Sequence, residues 1–128
     1  MTRGPVKLWR WWIVLVFVVS GPWFGVTTSP QWKRVEWMPF TSKENKPRDV
    51  IANVLLFVPL GWSFGASRPG RRGAALAIAT GFATSLVAES LQVFWILRDP
   101  SATDLLSNTC GTALGVAGAA LWRRRPLP

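Results

Sequence analysis

The sequence predicts an all-α integral membrane protein, a bundle of about four transmembrane helices with both termini in the cytoplasm. Three observations carry this. Hydrophobic residues make up 49% of the 128 positions and gather in long, weakly charged blocks. The blocks, residues 11–26, 50–66, 73–97 and 105–122, each approach the roughly 17 to 25 residues that a bilayer crossing needs. The basic residues lie at the block ends in an alternating pattern, which orients a multi-pass chain. Residues 1–28 hold a basic flank and the first helix, and residues 29–122 the main membrane domain. That domain comprises an interfacial loop at 29–49 and helices at about 50–66, 73–97 and 103–122; residues 123–128 form a basic cytoplasmic tail.

The first apolar block follows Arg3, Lys7 and Arg10, a basic start shared by signal peptides. No small-x-small cleavage site follows, and bulky Trp23 and Phe24 continue the run, so an uncleaved helix is expected. The loop at 29–49 is polar but carries Trp32, Val35, Trp37, Met38 and Phe40. Those side chains suit the headgroup region, leaving Lys33, Arg34, Lys43, Lys46 and Arg48 for water. In the second helix Pro59 removes a backbone donor, which predicts a bend beside Gly61. The third follows the basic turn "RPGRRG" and begins rich in Ala, Gly, Thr and Ser, which admit a close neighbour. In the fourth, Ser107, Gly111, Gly115 and Ala119 recur every four residues and form one small-residue face.

The formal charge of +9 raises nucleic-acid binding, but the fifteen Lys and Arg are dispersed among helix ends and form no single stripe. The bilayer itself is the expected partner. Cys110 stands alone, which excludes an intramolecular disulfide, and is expected to pack inside the bundle. The absence of histidine removes the commonest general base and metal ligand; no metal or other cofactor is expected. The cytoplasmic flanks would hold Arg3, Lys7 and Arg10, then Arg68, Arg71 and Arg72, then Arg123, Arg124 and Arg125.

That orientation brings a polar set to the outer face. Asp49 and Asn53 open the second helix, Glu89 and Gln92 lie near the end of the third, and Asp104 and Asn108 open the fourth. Arg98, Asp99 and Ser101 form the turn between the last two. Spacings of three or four residues put each pair on one helix face. Ionisable and amide groups at such depth point into a bundle or a wet cavity, so a shallow pocket open to the outside is expected.

The segments "DVIANVLLFVPLG" (49–61), "ESLQVF" (89–94) and "RDPSATDLLSNTCGTALG" (98–115), preceded by "WMPF" (37–40), resemble in order and spacing the core of the VanZ-like family. The resemblance runs from about residue 38 to 115, and Asn53, Glu89, Gln92, Arg98, Asp104 and Asn108 match its motif positions. It implies a small multi-pass protein of the bacterial cytoplasmic membrane. The family's namesake is associated with low-level resistance to the glycopeptide teicoplanin in Gram-positive bacteria. No family catalytic mechanism carries over, and the catalytic residues are unassigned.

Three readings of the polar set remain open. It could bind a cell-wall lipid precursor or a lipoglycopeptide and so lower susceptibility to it, with Arg98 pairing an anionic group. It could instead be structural, its hydrogen bonds registering the helices and Asp104 capping the fourth. As a third reading, Glu89 could act as general acid or base on a lipid-linked cell-wall intermediate, with Arg98 stabilising developing negative charge.

Overall fold

The computed structural model describes residues 7–21, 24–41 and 46–125. Arg3, Pro22, Trp23, Lys43 and positions 126–128 of the basic tail lie outside the described residues. The described residues form four α-helices and no β-strand: α1 (Leu8–Ser20), α2 (Pro47–Ser67), α3 (Arg71–Gln92) and α4 (Ala102–Arg123).

The centre of the bundle is the α2–α4 pair, the most extensive helix contact. Gly111 faces the Val54 carbonyl, Gly115 faces Val58, and Val116 faces Gly65, so the two helices run parallel. The predicted small face of α4 is the one that packs: Ser107, Gly111, Gly115 and Ala119 are all buried. A Cβ on Gly61 would collide with the Thr112 carbonyl and one on Gly115 with the Val58 carbonyl, so backbone touches backbone. In a bilayer, burying apolar side chains against one another gains little over burying them in lipid, and close packing of this kind supplies the association instead.

Outside that pair, α1 and α3 run antiparallel to α2. Val16 of α1 enters a fully buried cluster with Phe57 and Leu60, and Trp9 packs on Phe64 with ring centroids 4.8 Å apart. The Trp12 indole donates to the Leu56 carbonyl at 2.6 Å. Trp9 and Trp12 are therefore packing residues, where an interfacial position is the default for tryptophan in a membrane chain. Pro59 lies within the continuous span of α2. Cys110 departs from expectation: it is exposed, sharing an outward face with Leu106 and Leu114.

Boundaries differ most around the third helix, which stops at Gln92, five residues short of the predicted 97. Phe94 and Trp95 continue as tight turns back to Leu91 and Gln92, and the chain then pairs with the loop after α1. Thr27 donates to the Phe94 carbonyl at 2.9 Å, Ile96 to Gly25 at 3.0 Å and Gln31 to Val93 at 2.8 Å. Further along, Glu36 donates to Pro100 and Ala102 donates back to Glu36, both at 2.9 Å. A longer α3 would take these partners from the loop groups, a cost for backbone groups held away from water. The loop is thus fastened between residues 25 and 36, while Trp32, Trp37, Met38 and Phe40 are exposed. Arg34, assigned to water by its sequence, instead pairs with Asp99 at 2.5 Å.

Polarity is distributed inside out. Buried positions include Asn53, Ser85, Glu89, Gln92, Thr103, Asp104 and Asn108, whereas Ile51, Leu55, Leu76, Phe82, Leu86 and Leu114 face outward. α2 and α3 are long and apolar enough to cross a membrane, and only 33% of each span is buried. The core helix of a soluble protein would be mostly buried. α1, with 13 residues, is shorter than a span, and the Ala, Gly, Ser and Thr content of α4 lowers its apolarity although it has 22 residues.

Candidate functional site

The N-termini of α2 and α4, the C-terminal end of α1 and the 97–101 segment enclose a cavity of about 530 Å³. Its polar lining includes Ser20, Glu36, Asp49, Asn53, Arg98, Asp99, Ser101 and Asp104; its apolar lining includes Val19, Leu56 and Leu97.

The α4 N-terminus organises one side. Ser101 is the N-cap, its Oγ accepting from the Thr103 N–H at 3.1 Å. Asp104 therefore does not cap the helix through the bond envisaged for it. It occupies the first turn, favourably placed for the helix dipole, and accepts from Arg98 Nη2 at 3.4 Å. Ser101 also donates its N–H to Glu89 Oε2 at 2.8 Å and its hydroxyl to Glu36 Oε2 at 3.4 Å. One serine thus joins α3, α4 and the first loop. The loop is held again where Phe40 N–H donates to Thr103 Oγ1 at 2.9 Å, with Phe40 at φ 60°. A left-handed backbone is costly for an aromatic residue, and this bond favours it locally.

The seven predicted residues do not all meet. Asp49, Asn53, Arg98 and Asp104 line the cavity. Glu89 lies behind Ser101 and borders a separate space of about 160 Å³ beneath Trp32 and Trp37. Asn108, one turn deeper than Asp104, donates through Nδ2 to Ser85 Oγ at 2.8 Å and ties α4 to α3. Gln92 is 1% exposed, lines no part of the cavity, and its Oε1 has no hydrogen-bond partner. Asn53 is 8% exposed with Nδ2 unpaired, and it does line the cavity.

Glu36 is the member that sequence reasoning missed. It sits in a loop without periodicity, and its only signal is a lone acid beside "WMPF". Asp99 and Ser101, recognised as the outer turn, prove to line the cavity as well. The lining therefore carries four carboxylates and one guanidinium; Arg98 pairs with Asp104, while Arg34 and Arg48 pair with Asp99 and Asp49 from outside the lining. Among the described residues, no three His, Cys, Asp or Glu side chains are placed to hold a metal ion.

The Glu89 contact makes a separable prediction. Glu89→Ala would leave the buried Ser101 N–H without its acceptor, and melting of the purified protein is expected to show a loss of about 1 to 3 kcal/mol. Glu89→Gln, which keeps an acceptor oxygen, should lose about 1 kcal/mol or less. Equal losses in the two variants would show that the hydrogen bond is not what Glu89 contributes.

A bundle with polar groups inside and apolar groups outside, and with a polar cavity near its helix ends, has the architecture of a helical membrane protein. The family model described as VanZ/LLP1 matches residues 8–123, nearly the whole chain. The chain belongs to the VanZ-like family. No curated protein and no solved structure matches it.

Proposed function

We propose that the chain crosses the bacterial cytoplasmic membrane four times with both termini inside, and that its outward cavity binds the polar head of a lipid-tailed ligand, a cell-wall lipid precursor or a lipoglycopeptide. The observation that carries this reading is the cavity itself. It is lined by charged and amide groups together with Val19, Leu56 and Leu97, so a molecule with a polar head and an apolar tail finds partners for both. Asn53 strengthens it, because a buried donor without a protein partner is costly unless something else accepts from it.

The fastened loop supports the four-pass reading. Helix α1 is short, but Gly25 and Thr27 beyond it pair with the 94–96 segment, which would satisfy those backbone groups at membrane depth. The basic groups at the opposite helix ends favour the cytoplasmic side. Sequestering a lipoglycopeptide or covering its target at the outer face would lower susceptibility, as the family resemblance implies.

The test is teicoplanin susceptibility in a Gram-positive host carrying empty vector, wild type or Asp104→Ala at matched membrane abundance. Protection by wild type that is lost in the abundant variant supports the reading. Equal protection by both forms, or none by wild type, overturns it for this ligand.

A further inference from the structure

All six acidic residues fall within residues 36–49 and 89–104, and the five described ones gather at the end of the bundle already discussed. The opposite end has a different character. There the α2–α3 turn and the end of α4 enclose a second cavity, about 380 Å³, rimmed by Arg68, Arg71, Arg123 and Arg124 over an apolar floor that includes Val116 and Ala120.

Local structure places these four groups. Gly73 allows the turn to close, since a Cβ there would strike the Arg68 carbonyl, and the tight turn puts Arg68 and Arg71 on one rim. Arg123 is drawn across from α4 by donating Nη1 to the Gly65 carbonyl at 2.8 Å, which also satisfies an acceptor in the last turn of α2. Arg68 lies over the Phe64 ring, 5.7 Å from its centroid. Among the described residues, none of the four is in a salt bridge with a carboxylate. The first turn of α3 opens at the same rim, with no side-chain hydrogen bond at its cap, so its N–H groups add positive potential.

Topology alone does not account for this. Orienting the chain requires basic residues on one side, and Arg10, Arg72 and Arg125 meet that need without lining the cavity. Four guanidiniums around one concavity repel one another unless an anion sits between them, and planar forks match phosphate oxygens. The apolar floor beneath suits the start of an acyl chain.

We propose that the cavity of Arg68, Arg71, Arg123 and Arg124 binds the phosphate of an anionic phospholipid headgroup. This site is separate from the outward cavity, and its test does not depend on the ligand proposed there.

Native mass spectrometry of the full-length protein in detergent, titrated with phosphatidylglycerol or phosphatidylcholine, tests it. Arg68→Gln, Arg71→Gln and Arg124→Gln together are compared with Arg10→Gln, Arg72→Gln and Arg125→Gln together, which change the charge equally. Phosphatidylglycerol is expected to bind wild type in preference to phosphatidylcholine, and to weaken by about fivefold per charge removed from the cavity. The control triple should keep wild-type binding. Equal weakening in the two triples would mean diffuse attraction, and equal binding of the two lipids would mean that no phosphate charge is read; each overturns the proposal. Inorganic phosphate is the third titrant, and binding tighter than that of phosphatidylglycerol overturns the lipid assignment in favour of the free ion. Circular dichroism verifies the helix content of each variant. If the cavity triple does not fold, Arg124→Gln alone, beyond the last residue of α4, carries the comparison against Arg125→Gln.

Discussion

Gly115→Leu is expected to destroy the folded bundle, with a loss of about 3 kcal/mol or more, because the new side chain would have to pass through the α2 backbone. A Cβ at this position already meets the Val58 carbonyl, and the Trp62 nitrogen lies 2.6 Å from it. Backbone cannot swing aside as a side chain can, and parting the helices would also undo the neighbouring contacts of Gly61 and Gly111. Ala117→Leu places the same side chain two residues away on the exposed side of α4 and should leave the protein unchanged. Thermal melting and size-exclusion behaviour in detergent distinguish the two. A Gly115→Leu protein that melts like wild type would show that α2 and α4 do not pack at this distance.

The small face of α4 was readable because a four-residue repeat of small residues has one physical use in lipid, the close approach of another helix. Its partner was less visible. Gly61 and Gly65 make the matching face on α2, but Pro59 dominates that stretch as an expected bend, and nothing in the spacing shows that the two helices run parallel. The end of α3 was hidden for a related reason. The segment "VFWIL" is apolar enough to continue a helix, and the partners that take its backbone groups come from a loop nearly seventy residues earlier.

Asn53→Leu carries the second large effect, and its two readouts should move apart. The amide nitrogen is buried without a partner, so replacing the side chain with an apolar one of similar size should leave stability unchanged or raise it by about 1 kcal/mol. If a ligand acceptor meets that nitrogen, protection in the susceptibility assay should fall at least about tenfold, the equivalent of 1.4 kcal/mol of binding. A strut would behave in the opposite way, with stability falling and protection retained in whatever protein remained. Loss of stability without loss of protection would remove Asn53 from the binding surface.

The polar cluster was only partly legible. Helical spacing reports which face a residue occupies, not how deep it lies or which neighbour it meets. Asp104 and Asn108 share the inward face of α4, yet Asp104 opens on the cavity beside Arg98 while Asn108, one turn further in, bonds to Ser85. Glu89 and Gln92 are likewise both buried, but Glu89 is taken by the backbone of Ser101 and Gln92 lies away from the cavity. Glu36 arrives through backbone pairing of its loop with residues 100–102, a long-range bond that no local pattern announces.

The acidic residues gather at one end of the bundle, where Lys33, Arg34, Lys46, Arg48 and Arg98 offset them, while the other end carries arginine without acid among the described residues. The molecule therefore has one strongly positive end and one nearly neutral end. Such an object responds to a membrane voltage. Each elementary charge carried across a potential of 100 mV changes in energy by about 2.3 kcal/mol, so the arginine-rich end would resist being carried to the positive side of an energised membrane. In the orientation proposed above, a potential negative inside would favour the arginine end inward, and loss of that potential would weaken the preference without disturbing any contact within the protein.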